Sequence, residues 1–405
     1  MDFNDSTEET AFRSEVRAWL DANAPTDWQQ SSGRDEDGIK RSKDWQKKKY
    51  DSGWACIHWP KEYGGRGATP IERVIWSQEE GELGALSGLF IIGQGMCAPT
   101  VMAHGSEESK QRHIPKIASG EEIWCQLFSE PASGSDLAGL RTKAEKDGDD
   151  WVINGQKIWT SGAHYADFGI LITRTDPTVP KHKGLTMFYL DMRSPGIDIR
   201  PIKQVSGRSD FNEVYFTDVR IPDSQRLGEV GNGWQVSLTT LMNERLAVGG
   251  GFPTNFEEMF DMARELEGED GPVIAEADVR EQLADWYIRS AGLRNTQNRM
   301  TSALSRGEAP GPEASITKLV LGINRQNMAS TMLDIQDMCG VLTGKDEAVN
   351  EAQFQEIFFR AAAHRIEGGT DEILRNIIAE RVLGLPPDIR VDKTVPFNEI
   401  PSGSA

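Results

Sequence analysis

Four short stretches of this sequence carry residue types that can do chemistry. SEPASGSDLAG, Ser129 to Gly139, sets Gly134-Ser135 between two turns. Such a segment exposes backbone N–H groups and a hydroxyl, which suits a phosphate-bearing ligand. GQKIWTSG places a flat aromatic, Trp159, close to the hydroxyl of Ser161, a pair able to flank a flat conjugated ring. EGGTDEILRNIIAERVLGLP is a Gly-Gly-Thr turn running into a helix whose first N–H groups can meet an anion or a polar group. LMNERLAVGGG carries Glu244 on one helical face with Leu241 and Val248, at i, i+3 and i+7. That face is otherwise apolar. A lone carboxylate there is costly, and a water-poor pocket raises its pKa and makes it a better base. A structural salt bridge to a nearby arginine is the alternative for Glu244. A helix N-terminal acid is the alternative for Glu372.

Three kinds of element must position these residues. Phe12, Val16, Trp19 and Leu20 recur at helical spacing, GIKRSKDWQKKKYDSG reads as a basic surface helix ended by Gly53, and Ser106 is a candidate N-cap. Near Trp124 the pattern changes to alternation. WVINGQKIWTSG reads as two strands around a type I′ turn at Asn154-Gly155, and FGILITRT, LTMFYLDM, GIDIRPI and NEVYFTDVRIP read as further strands. From Gly233 the helical period returns in four long amphipathic segments, which suit a bundle. The expected fold is α+β and multidomain: an N-terminal helical domain over 1–123, a central β-barrel or sandwich over 124–231, a C-terminal four-helix bundle over 232–385, and a polar surface tail over 386–405.

The chain has 405 residues, with 44 Lys+Arg against 63 Asp+Glu and a formal charge of −19. This balance argues against a nucleic-acid partner, which would call for a basic face. It leaves room for an anionic ligand held by local basic groups. No apolar run approaches the ~20 residues of a membrane helix, and MDFNDSTEET lacks the basic and apolar regions of a signal peptide. A cytoplasmic protein without a membrane partner is expected. The four cysteines are scattered without a CxxC pair, so neither a metal site nor a disulfide framework is expected.

The motifs together resemble the acyl-CoA dehydrogenase family, in its bacterial form. WPKEYGGRG, SEPxxGSD, GQKIWTSG, FxDVRIP and GGTxEIxRNIIAERVLGLP stand in the family's order over almost the whole chain. WTSGAHYADF and FNEVYF are similar to the large subunit of pimeloyl-CoA dehydrogenase. The resemblance implies FAD as cofactor, an acyl-CoA substrate, electron-transfer flavoprotein as acceptor, a role in β-oxidation and lipid metabolism, and a homodimer or homotetramer, with a heteromer possible. By position it implies that Phe128 and Ser129 face the flavin pyrimidine edge and that Gly134 and Ser135 meet the pyrophosphate region. Trp159 would pack beside the ring, Ser161 would bond near N5, and Thr370 and Glu372 would contact the cofactor from the last turn. The family's Arg-x-x-Phe-Gly segment is missing here. Arg280 is the nearest candidate for its phosphate contact, and a plain surface arginine is an equal reading.

Many members carry the catalytic base directly before the Gly-Thr of the last motif, where this chain has Gly368. Relatives similar to isovaleryl- and long-chain acyl-CoA dehydrogenases place it on a bundle helix before an arginine, as in Glu244-Arg245. The resemblance thus implies Glu244 as base, with Glu367 as the other candidate. It further implies that the Gly368 N–H polarises the thioester carbonyl and that Arg245, Lys183 and Ser135 meet the CoA moiety. A solvated loop lysine is the plainer reading of Lys183. Two alternatives remain: a flavin oxidase or monooxygenase on the same scaffold, and a subunit of a heteromeric dehydrogenase.

Overall fold

Helix α1, Thr7–Asn23, begins at a capping box: Ser6 Oγ accepts from the Glu9 N–H at 3.2 Å, and the Glu9 carboxylate accepts from the Ser6 N–H at 2.7 Å. The computed structural model describes residues 5–26, 34–248, 256–268, 271–306 and 314–401. Helices α2 (Glu36–Asp51), α3 (Pro70–Glu79), α4 (Gly84–Ser87), α5 (Ala98–His104) and α6 (Glu107–Ser119) follow. Val16 and Leu20 of α1 are buried with Trp45, Trp54 and Trp76, and Phe12 and Trp19 pack against them. Burying each such aliphatic side chain contributes roughly 1.5–3 kcal/mol, so Val16→Asp would open this cluster first. Ser106 caps α6, its Oγ accepting from the Ser109 N–H at 3.2 Å, as its type predicts.

The sheet comprises β1 (Trp124–Leu127), β2 (Lys143–Asp147), β3 (Asp150–Ser161), β4 (Phe168–Arg174), β5 (Leu185–Asp191), β6 (Ile197–Ile202), β7 (Phe211–Pro222) and β8 (Arg226–Leu227). Its order is β6-β7-β3-β2-β4-β5-β8, with β1 parallel to β4. β4 and β5 are buried along nearly their whole length. Ile170, Ile172, Leu185 and Met187 pack into one core with residues of α5 and α6, whereas Leu171, Phe188 and Leu190 join Trp151, Ile153 and Val214 in a second. Covering both faces explains why these strands read as apolar runs rather than as alternation.

Asn154-Gly155 is not the hairpin turn. β3 runs straight through it, and the β2–β3 hairpin turns at Gly148-Asp149, with Asp147 opposite Asp150. The Asn-Gly pair instead marks a bulge, a register shift against β7 between Ile153 and Gly155. Asn154 Nδ2 donates to Asp218 Oδ1 at 2.9 Å and its Oδ1 accepts from the Asp218 N–H at 3.0 Å, so the side chain closes the irregularity that its sequence signal suggests is a turn.

Two compact units are present. One takes in the chain up to Gln204, Arg208–Ala247 and the segment from Ile389; the other takes in Val205–Gly207 and Val248–Asp388. Helix α7, Gly233–Val248, packs with the first unit as far as Ala247. The second unit holds α8 (Phe256–Glu265), α9 (Ala277–Ser305), α10 (Ala314–Ile335), α11 (Gln353–His364) and α12 (Asp371–Arg381) around Met259, Leu283, Trp286, Met332, Phe354 and Ile357. α8 and α11 go beyond the four expected segments. Met259, Met262 and Ala263, then Phe354, Ile357 and Ala361, carry the helical spacing that gives them away. Among the described residues, no single helix is long and apolar enough to cross a membrane.

The tail expected at the surface over 386–405 is exposed or half-buried over its described residues, and part of it is fastened to the loop between β4 and β5. Ile389 and Val391 are exposed. Beyond them, the N–H groups of Phe397 and Asn398 donate to the Val179 and Pro177 carbonyls at 3.0 and 2.9 Å, and Pro396 bridges to Pro180. The half-buried Phe397 ring, over the Arg174 guanidinium at 3.8 Å, is the apolar anchor that the segment's polar composition hides.

Candidate active site

Strand β1 runs directly into the Ser129–Gly139 loop, and two buried cations hold that junction. Lys157 on β3 is fully buried and donates to the Phe128 carbonyl at 3.0 Å and to Glu130 Oε1 at 2.9 Å. Glu130 also accepts from the N–H groups of Arg141 and Thr142 at 2.6 and 2.9 Å. Burial opposes its ionisation, but the Lys157 charge and these donors outweigh burial and hold its carboxyl below the usual carboxylate range. Arg174, 4% exposed, donates to the Ala138 carbonyl at 2.5 Å and to the Lys181 carbonyl at 2.7 Å. Neither lysine nor arginine stands in the motif they support, so the sequence offers no sign of this role.

The expected flavin contacts of this unit are brought together. The Ile158 N–H donates to the Ser129 carbonyl at 2.9 Å, which fastens β3 beside the loop one residue before Trp159. Pairing with β7 shifts between Lys157 and Thr160, and within that bulge Trp159 takes φ +60°. A non-glycine residue held there stores roughly 1–2 kcal/mol of strain. The result is a tryptophan 57% exposed in the middle of a strand, edge-on to Phe211 at 6.1 Å. Phe128 is buried, Ser129 and Ser161 are half-buried, and Ser135 is exposed.

Three observations fit a flavin dinucleotide here. An indole is presented outward at the cost of strain. Beside it Thr160 Oγ1 is buried without a hydrogen-bond partner, a polar group of the kind that ligands satisfy. Where a Cβ on Gly134 would stand, no atom lies within 4 Å, so the backbone there is open to close approach.

Glu244 lies on the last described turns of α7. This helix is seated by Val236, Ser237 and Thr240, all fully buried; Thr240 Oγ1 meets Thr100 Oγ1 at 2.8 Å, and Thr239 Oγ1 meets His104 Nε2 at 2.9 Å. Glu244, one turn beyond Thr240, is half-buried and accepts from Gln126 Nε2 at 3.3 Å. Of the apolar stripe expected around Glu244, the Val248 side chain lies outside the described residues. Leu241 does pack against the core, but the inward face of α7 also carries hydroxyls that are satisfied across the helix pair. Gln126, on β1 two residues before Phe128, escaped sequence reasoning; a half-buried amide within the apolar run WCQLF is the signal that points to it. The side chain of Arg245 and all of Gly249–Gly251 lie outside the described residues. Lys183 is exposed and, with Lys146, Trp151, Val179 and Val230, lines a cavity of about 630 Å³.

The remaining candidates belong to the second unit. Thr370 is the N-cap of α12, its Oγ1 accepting from the Ile373 N–H at 3.2 Å. Gly368 and Gly369 take φ +62° and +101°, which accounts for two glycines where the commoner pattern has an acid and a glycine. Lys318 Nζ donates to the Gly369 carbonyl at 2.5 Å, and Arg365 Nε to the buried Asp371 at 2.7 Å. Glu372 is exposed in the first turn of α12, where its own N–H and the Thr370 hydroxyl lower its pKa. Arg280 is exposed in the first turn of α9. Glu367 is engaged: Arg360 Nη2 donates at 2.5 Å and His364 Nδ1 meets it at 2.6 Å. Burial raises its pKa, but the His364 hydrogen bond and the Arg360 charge outweigh this and leave it below the usual range. A paired carboxylate of that kind is a poor base.

Comparison with known proteins agrees with this architecture. The acyl-CoA dehydrogenase N-terminal, middle and C-terminal domains match residues 6–121, 125–219 and 231–383 in turn. The acyl-CoA dehydrogenase IpdE1 of Mycobacterium tuberculosis is 34% identical over 94% of this chain and 98% of its own length. The acyl-CoA dehydrogenase FadE34 of the same organism is 39% identical over 83% of this chain, which spans only 45% of FadE34. Among solved structures, the Tcur3481-Tcur3483 steroid ACAD is 31% identical with a TM-score of 0.81, covering 96% of this chain and 100% of that one. The ChsE4-ChsE5 complex of M. tuberculosis is 28% identical with a TM-score of 0.82 over the same shares. Members of the matching family bind FAD and dehydrogenate acyl-CoA thioesters. With its helical, β-sheet and helical domains in that order, the chain belongs to the acyl-CoA dehydrogenase family, a family of flavin-dependent oxidoreductases.

Proposed function

We propose that this chain catalyses α,β-dehydrogenation of an acyl-CoA thioester with Glu244 as the general base. The carrying observation is the Gln126–Glu244 hydrogen bond, which ties the carboxylate to the strand that becomes the flavin-facing segment Phe128–Ser129. Bound FAD would supply the hydride acceptor for the substrate β-carbon. Glu244 takes the α-proton, and the Gln126 amide holds its carboxylate oxygen in one direction. The Gly368 N–H polarises the thioester carbonyl, which strengthens as a hydrogen-bond acceptor while the α-proton leaves. By the family resemblance, Phe128, Ser129, Gly134, Ser135, Trp159 and Ser161 are the cofactor contacts of the sheet unit; the same resemblance assigns Thr370, Glu372 and Arg280 as cofactor contacts of the helical unit. Arg245, Lys183 and Ser135 meet the CoA moiety. Engagement of Glu367 by Arg360 and His364 supports Glu244 over it as base. Retention of a glutamate ahead of an arginine on α7 favours dehydrogenation over an oxidase or monooxygenase reaction.

The likeness to the Tcur3481-Tcur3483 steroid ACAD favours a bulky, ring-bearing acyl group. It also favours a heteromeric assembly over a homo-oligomer. Electron-transfer flavoprotein is the proposed acceptor, and the cytoplasm the proposed site of action. Anaerobic mixing with straight-chain, dicarboxylic and steroid side-chain CoA thioesters tests the reading. Bleaching of the flavin band by a ring-bearing thioester is expected. A flavin-loaded protein, alone or co-expressed with a second chain, that no thioester bleaches would defeat it. Gln126→Leu should slow bleaching about tenfold or more, the scale of a hydrogen bond to a charged group.

A further inference from the structure

The segment beyond Ile389 contributes nothing to the chemistry described so far, yet it meets the loop proposed to carry the cofactor phosphates. Lys181, whose side chain is 8% exposed, donates to Asp136 Oδ1 at 2.8 Å and to Asp392 Oδ2 at 2.5 Å. Asp136 closes the Gly134-Ser135-Asp136 turn, and Asp392 lies on the returning segment. Arg174 makes a second junction of the same three pieces of chain. Its guanidinium holds the Ala138 carbonyl of the loop and the Lys181 carbonyl, and its open face is covered by Phe397. Arg141, at the loop's far end, also lies over Phe397, at 6.0 Å.

We infer that Asp392 and Phe397 are positioning residues for the cofactor: through Lys181 and Arg174 they fix the Gly134–Leu140 backbone, so FAD affinity depends on the strap Ile389–Ile400. This rests on the reading that Gly134-Ser135 meets the FAD pyrophosphate. The physical ground is preorganisation. A turn whose N–H groups must converge on an anion binds more tightly when ordering it costs nothing at the moment of binding. Loop and strap are otherwise joined through two cationic side chains, and removing the Phe397 ring uncovers one of them.

The holoenzyme tests this by flavin release on dilution, followed by flavin fluorescence, together with amide exchange of residues 133–140. Phe397→Ala is expected to weaken FAD about tenfold, the scale of one partly desolvated cation–π contact, and to speed exchange in 133–140. Phe397→Trp, which keeps a ring over Arg174, should restore both, and Asp392→Asn should produce a smaller loss in the same direction. Ser135→Asp serves as the reference, since a carboxylate there repels pyrophosphate. If Ser135→Asp weakens FAD while Phe397→Ala changes neither affinity nor exchange, the strap has no such role. If Ser135→Asp leaves FAD affinity intact, the phosphate reading of the loop falls, and the inference with it. Weaker FAD in Phe397→Ala with exchange faster across the whole sheet, rather than in 133–140, would also overturn it as a general loss of stability.

Discussion

Two turns in this chain are proposed to present backbone N–H groups to ligands, and they are held in different ways. The Ser129–Gly139 loop sits over buried charge: Lys157 with Glu130, and Arg174 with three carbonyl groups. The Gly368–Thr370 turn is held from its rim, by Lys318 on one carbonyl and by Arg365 on Asp371, with the Arg365 side chain 39% exposed. Breaking a buried ion pair strands a charge in a medium that cannot solvate it, whereas water replaces a rim contact. The first turn should therefore fail with the fold, and the second should loosen without it.

Lys157→Met gives the largest expected effect. It leaves Glu130 ionised and buried, and urea unfolding should show a loss of roughly 3–5 kcal/mol. Lys318→Met at the other turn should cost about 1 kcal/mol or less on the same measurement; equal losses would abolish the contrast. The pH dependence sharpens it. Glu130 and Glu367 both have folded-state pKa values below those of the unfolded chain, Glu130 chiefly through the Lys157 charge working against burial. Their contribution is complete above the unfolded value and is lost as pH falls through the folded one. As pH falls below 4.5, the ordinary glutamate value, and through the lower folded one, the native protein should lose stability more steeply than Glu130→Gln or Glu367→Gln, and parallel curves there would contradict this. The smallest effect is the most diagnostic. Trp159→Gly removes the strain of φ +60° and should raise the unfolding free energy by up to about 1 kcal/mol while weakening FAD. A variant that gains stability and keeps its flavin would show that Trp159 has no part in holding it.

Much of this was legible in the sequence, for a physical reason. The order of elements shows in the residue pattern, and the residue types at Gly134-Ser135, Trp159 and Gly368-Gly369-Thr370 mark the segments proposed to face a ligand. The layered order of helices, strands and helices follows from periodicity alone. What stayed hidden are the partners, because a hydrogen bond between distant residues leaves no local pattern. Lys157, Arg174, Lys181 and Gln126 read as ordinary strand or loop residues until the fold gathers them. Asn154-Gly155 misled for the opposite reason: the same preference for unusual backbone serves a bulge as well as a turn. Gly148-Asp149 held the true turn signal a few residues earlier. The polar composition of 386–400 likewise concealed the one ring that anchors it.

Everything proposed for the reaction depends on Glu244, held by Gln126, removing the α-proton. Its most direct test is anaerobic stopped-flow flavin reduction by the best thioester, in the native protein and in Glu244→Gln with flavin bound in both. A fall of about two to four orders of magnitude in the reduction rate is predicted. Reduction at the native rate would contradict the account and turn attention to Glu367.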